Sequence, residues 1–306
     1  MEVHVGAVGE RQRHRRATRP GGHDGMNKTV EHPLVDERRA ERSLHIGDGF
    51  RLGQPRRACR IMNRHGQHDT ALLWAVMRTT LEVEIWSDVV CPWCYIGKRR
   101  FERALAEVAD EIDVDIVYRP YQLDPTALPG AATPVSEAYA KKFGGAERAT
   151  QIIAHVTEVA AADGISFHMD RALRANTLLA HRLLWFAEQT GGQHEVKERL
   201  LRAYFEDGLD IGDPDVLADC AADAGLDRST VRAFLDTADG LAEVRAFIAH
   251  AQDNGITAVP TFVLSDTASS TAWMVPGAQD TDVFVRVLRR LAARATASDT
   301  SSDTNG

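Results

Sequence analysis

The chain has 306 residues, 44% hydrophobic and 26% charged. That balance suits one large or two ordinary folded domains and excludes a wholly disordered or low-complexity chain. Lys and Arg number 36 against 44 Asp and Glu, and the net charge of -8 argues against nucleic acid as a partner. The longest apolar run, Ala71 to Met77, falls far short of the roughly 20 residues a bilayer crossing needs, so no membrane partner is expected.

Charge is unevenly placed. Residues 1–76 hold 14 Lys/Arg, 9 Asp/Glu and seven of the twelve His, with almost no apolar periodicity. Such a segment cannot bury a core, so residues 1–78 are expected to form a basic, disordered extension, with Met77 a candidate for the native start. No basic run leads directly into an apolar stretch and a small-residue cleavage site. Export is therefore not expected, and a cytoplasmic location is.

From Leu81 to Trp86 apolar and polar residues alternate, which predicts a buried strand that breaks at Ser87-Asp88. Ile96, Phe101, Leu105 and Val108 then fall on one helical stripe, and Ile112 to Tyr118 alternates again. A strand, a helix and a second strand predict a right-handed unit with parallel pairing. From Pro134 to about His250 the pattern is helical only. Asn176 is read as an N-cap closed by Gly191-Gly192, and Asp213-Pro214 as cap plus first helical residue. Strand character returns from Thr257 to Leu264 and at Ala272–Val275, and a last helix follows Asp280 or Asp282. The predicted organisation is α/β in 79–124 and 253–294, interrupted by an all-helical insert over 125–252. A disordered tail is expected over 295–306.

Two of the four cysteines form Cys91-Pro92-Trp93-Cys94 at the first strand-to-helix junction. Proline suits the first helical position, which puts Cys91 at or near the N-cap, where unpaired N–H groups and the helix dipole favour a thiolate. The sulfur is expected to be exposed, with Trp93 beside it to meet apolar substrate groups. Cys94, one turn in, can attack a mixed disulfide formed at Cys91 and release the product. A zinc site would need a second pair, and none exists: Cys59 lies in the basic segment and Cys220 on a predicted apolar stripe, as a small core residue. No metal is therefore expected. Asp88 is a candidate proton acceptor for Cys94. Pro260 at the head of the later strand is read in two ways: a strand-starting turn residue, or a cis proline whose loop lies against the CxxC with Val259 free to pair with an extended substrate. Asn176, His181 and Arg182 are candidates for a substrate groove, or else a cap, a partly buried histidine and a solvated arginine.

Six blocks in order carry a resemblance: Ser87-Asp-Val-Val-Cys-Pro-Trp-Cys-Tyr-Ile-Gly97, Tyr121-Gln-Leu-Asp-Pro125, Asn176-Thr-Leu-Leu-Ala-His-Arg-Leu183, Asp210-Ile-Gly-Asp-Pro-Asp-Val-Leu217, Gly255-Ile-Thr-Ala-Val-Pro260 and Pro276-Gly-Ala-Gln279. Over residues 80–292 the chain resembles the DsbA-like thiol oxidoreductases of FrnE type. The resemblance implies a thioredoxin-like fold with a helical insert, a nucleophile at Cys91, a resolving thiol at Cys94 and a cis bond before Pro260. The same fold also resembles glutathione-dependent 2-hydroxychromene-2-carboxylate isomerases, where serine usually holds the nucleophile position. The expected function is thiol-disulfide exchange on protein or small-molecule substrates. No cofactor is expected beyond the cysteine pair itself, with glutathione a candidate co-substrate. The alternatives are a glutathione-linked isomerase or transferase and a non-enzymatic redox-sensing module.

Overall fold

The computed structural model describes residues 79–266 and 272–302. The basic extension, Cys59 and the candidate start at Met77 lie outside the described residues. Strand β1 (Thr79–Ser87) runs into helix α1 (Pro92–Val108), which returns to β2 (Ile112–Pro120). The two strands pair in parallel, Thr79 opposite Ile112 through Ser87 opposite Pro120, as a crossover helix requires. Strand β5 (Thr261–Asp266) lies antiparallel to the other edge of β1, and β6 (Ala272–Pro276) antiparallel to β5, giving the sheet order β2-β1-β5-β6.

The strand alternation read from the sequence sorts side chains between two layers. Leu81, Val83 and Ile85 of β1, with Phe262 and Leu264 of β5, pack against Phe101 and Val108 of α1 and Phe284, Leu288 and Leu291 of the last helix. Phe101, Phe262 and Phe284 form a trio with ring centroids 4.6 to 5.1 Å apart. Each such buried side chain contributes roughly 1.5–3 kcal/mol relative to exposure. On the opposite side, Trp86 and Val263 pack with Ala251, Ile256, Val259 and the two active-motif cysteines.

Between β2 and β5 the chain forms α2 (Val135–Phe143), α3 (Ala146–Ala162), α4 (Leu178–Thr190), α5 (Gln193–Arg202), α6 (Pro214–Asp223), α7 (Arg228–Leu235) and α8 (Leu241–Asp253), a thioredoxin-like sheet interrupted by helices. The stretch is not purely helical. Thr133–Pro134 (β3) and Leu173–Arg174 (β4) form a two-residue antiparallel ladder, too short to leave a periodic signal. Asp213 caps α6 as its sequence predicts, accepting from the Asp215 and Val216 backbones. The cap of α4 is shifted: Thr177 holds the N-cap position, while the Asn176 carboxamide oxygen accepts from the Leu178 backbone at 2.9 Å.

Two further boundaries differ from expectation. The strand expected from Thr257 starts only at Thr261, because Ala258 to Pro260 turn toward α1. The last helix, α9, runs Thr281–Ser302 instead of fraying at 295, since Leu291, Ala292 and Ala295 continue its buried stripe. No described helix is long and apolar enough to cross a membrane.

Candidate functional site

The site is built where β1 ends. Cys91 takes the N-cap position of α1 in extended conformation, Pro92 follows at the first helical position, and no side chain caps the free N–H groups. This leaves the positive helix end beside the Cys91 sulfur. The helix starts at once: Cys94 and Tyr95 donate their backbone N–H groups to the Cys91 carbonyl at 3.0 and 3.4 Å. Both cysteines are free thiols.

Cover comes from far along the chain. The Cys91 thiol donates to the Val259 carbonyl at 3.6 Å, across 168 residues, and the Val259–Pro260 bond is cis. Gly97 permits this approach, since a Cβ there would meet the Pro260 ring at 3.0 Å and Ala278 at 3.3 Å. The sulfur is consequently not exposed as the sequence suggested. Cys91 and Cys94 are each 3% exposed, and Trp93 is half-buried against both neighbouring cores rather than standing free. An N-cap position exposes a side chain only if nothing packs over it, and here the Val259 loop does.

Cys94 lies deeper. Burial pushes its thiol well above the usual range, hydrogen bonding to the Cys91 sulfur and that sulfur's charge add to the rise, and Lys197 and the Asp88 backbone N–H oppose it. The two thiols therefore stand in different surroundings, one at a helix end and one inside.

Asp88 anchors the floor of the site. It is fully buried, and its carboxylate accepts from the Val89 backbone (2.8 Å), the Leu123 backbone (2.8 Å) and His181 Nε2 (3.1 Å). His181 Nε2 also lies 3.0 Å from the Tyr121 carbonyl, an acceptor only, so this nitrogen carries the hydrogen and bridges both. With both its oxygens engaged, Asp88 fastens the loop after β2 to the loop before α1.

The three residues offered as a groove do not form one. His181 is 2% exposed and Arg182 4%, and the Arg182 guanidinium donates to the carbonyls of Phe234, Leu235, Thr237 and Asp239. Arg182 thus ties down the last turn of α7 and the turn that follows it, a buried guanidinium finding its acceptors in backbone carbonyls. Asn176 holds the Ala127 carbonyl at 2.7 Å. Cys220 is a core residue, and burial pushes its thiol up to about 11.

The cleft lies elsewhere. Val90, directly before Cys91, lines a cavity of about 680 Å³ together with Tyr139, Lys141, Lys142, Arg174 and Tyr204. Burial pushes the Tyr139 phenol up to about 12, and the charge of the Cys91 sulfur adds to it. Sequence reasoning missed these residues because they converge only through the packing of α2 against β4 and the π-helical segment Ala203–Asp207 that continues α5. It also passed over Lys197, although a signal existed: Lys197 shares the apolar face of α5 with Val196, Leu200 and Leu201. Among the described residues no cluster of three His, Cys, Asp or Glu suits a metal ion.

The family described as DSBA-like thioredoxin domain matches residues 82–289. An uncharacterised protein of Bacillus subtilis (strain 168), YwbO, is 30% identical over 211 residues, covering 68% of this chain and 96% of its own. The crystal structure of a probable DsbA oxidoreductase from Streptomyces coelicolor is 36% identical with a TM-score of 0.63, over 69% of this chain and 89% of that one. With a cysteine pair at the head of α1 and this fold around it, the chain belongs to the DsbA-like thioredoxin-domain family of thiol oxidoreductases.

Proposed function

We propose that the protein exchanges disulfides through Cys91 as nucleophile and Cys94 as resolving thiol. The observation that carries this reading is the unequal setting of the pair: Cys91 at an uncapped helix start, Cys94 one turn in and buried with a raised pKa. The Cys91 thiolate attacks a substrate disulfide, forming Cys91–S–S–R and releasing the other half as a thiolate. Cys94 then loses its proton and attacks the Cys91 sulfur, so that the internal disulfide forms and the second substrate thiolate leaves. Run backwards, the same steps oxidise a substrate dithiol. A buried resolving thiol with a high pKa stays protonated while the substrate is attached, which orders the two attacks.

The cleft beside Val90 supports a bound substrate segment or small thiol with polar groups, since Lys141, Lys142, Arg174, Asp124 and Glu137 all line it. The six sequence blocks support placement in the FrnE-type branch. A cytoplasmic setting belongs to the same proposal and is checked by fractionation of the native cells.

Trapping tests the relay. Cys94→Ala incubated with oxidised glutathione should accumulate glutathione at Cys91, located by peptide mapping and released by dithiothreitol, while the same peptide of Cys91→Ser should carry none. Equal labelling of the two variants would contradict the assignment. Full turnover by Cys94→Ala on a glutathione-linked small substrate would favour the isomerase class instead.

A further inference from the structure

Lys197 has no place in the relay, yet its charge and the charges of the two sulfurs act on one another. It is 1% exposed on the core side of α5, and its Nζ has no hydrogen-bond partner among the described residues. An amine in that position is costly, because a buried charge loses its hydration and a buried neutral amine still leaves its donors unmet. Lysines that merely pack usually extend the ammonium to water. This one does not.

The groups around the amine are few. Its charge is acted on by Cys91 and Cys94 at the head of α1, by Lys98 further along that helix and by Asp88 in the loop before it, and the Tyr118 ring of β2 is centred 5.6 Å away. Lys98 is already paired with Glu102 and with Glu198, the latter at 2.6 Å, and Asp88 has both oxygens engaged by Val89, Leu123 and His181. What remains without a fixed counter-charge is the cysteine pair. Burial lowers Lys197 to about 8, while Cys94, Asp88 and Cys91 act to raise it, so its charge depends on the sulfurs.

We propose that Lys197 is the buried counter-charge of the cysteine pair, a positioning residue that stabilises the thiolate of the reduced form and makes the internal disulfide easier to reduce. The inference rests on the exchange reading above. Reduction takes two electrons and one proton from two glutathione thiols or a dithiol, breaks the Cys91–Cys94 bond and leaves one thiol and one thiolate, with the reductant joined as a disulfide and its second proton passed to water. The thiolate appears within the electrostatic reach of a buried ammonium that has no hydrogen-bond partner. On reoxidation that negative charge is lost, and Lys197 is left without it in apolar surroundings.

The test is the redox equilibrium of the full chain with reduced and oxidised glutathione. Lys197→Met keeps the volume and removes the charge, and Lys197→Gln keeps polarity without charge should the first variant fold poorly. At pH 7 both should shift the equilibrium about tenfold toward the disulfide, a potential about 30 mV more negative. The gap to the wild-type chain should narrow as pH rises through about 8 and the lysine discharges. The oxidised variants should melt no lower than the oxidised wild type, since a costly buried amine is gone. A merely structural lysine would lower the melting temperature and leave the equilibrium in place. Variants that share the wild-type constant at pH 7 would overturn the role of Lys197 while leaving exchange intact; a wild-type chain that reaches no equilibrium with glutathione would overturn both.

Discussion

The two faces of the sheet are packed with different material. Toward α1 and α9 the core is almost wholly apolar, built on the Phe101, Phe262 and Phe284 trio. Toward the helical insert the protein buries Asp88, His181, Lys197, Glu84 and Arg119, and among them the two thiols. One face supplies stability, and the other spends some of it to hold charge beside sulfur. Arg119 shows how the second face is made tolerable: it pairs with Glu84 at 2.8 Å, reaches Glu188 at 3.2 Å and lies over the Phe247 ring. Such groups are retained only when partnered, and Lys197 departs from that rule next to the site.

This contrast can be broken from either side. The largest effect is expected for Phe262→Ala, which should cost about 3–5 kcal/mol in a denaturant titration because it opens a cavity in the apolar layer. The redox equilibrium of the surviving folded fraction should not change. A shift in that equilibrium would mean the layers are coupled and the division is false. A smaller effect is expected for Asp88→Ala, which strips acceptors from two backbone N–H groups and from His181 and should cost roughly 2–4 kcal/mol. Its loss should concentrate in the loops it fastens, seen as faster amide exchange at Val89 and Leu123. Uniform exchange across the domain would show that Asp88 serves the whole core instead.

Much of this arrangement was readable beforehand. The alternation of Leu81, Val83 and Ile85, the stripe Ile96, Phe101 and Val108, and the second alternation from Ile112 gave a parallel βαβ unit, because strand and helix periods are local properties. Pro92 placed Cys91 at the helix start for the same reason. What lay out of reach depends on contacts between distant segments. The loop of Val259 and Pro260 against the CxxC was legible as one of two readings of that proline, but that its carbonyl covers the Cys91 sulfur was not, and nothing near Arg182 shows that four carbonyls at and just beyond the end of α7 receive it. Asn176, His181 and Arg182 read either as a groove or as a cap, a partly buried histidine and a solvated arginine, and neither reading carries the fact that both His181 and Arg182 are buried, the latter on distant carbonyls. Lys197 was legible in part, since a lysine among Val196, Leu200 and Leu201 breaks the apolar face of α5; its neighbours were not.

The central claim is that the two thiols differ, with Cys91 meeting the substrate and Cys94 held inside. Limited alkylation of the reduced wild-type chain with iodoacetamide, followed by peptide mapping over time, measures this directly. Modification at Cys91 should run well ahead of Cys94 and of the core thiol Cys220. Cys94 labelled first, or all three labelled at one rate that tracks global unfolding, would contradict it.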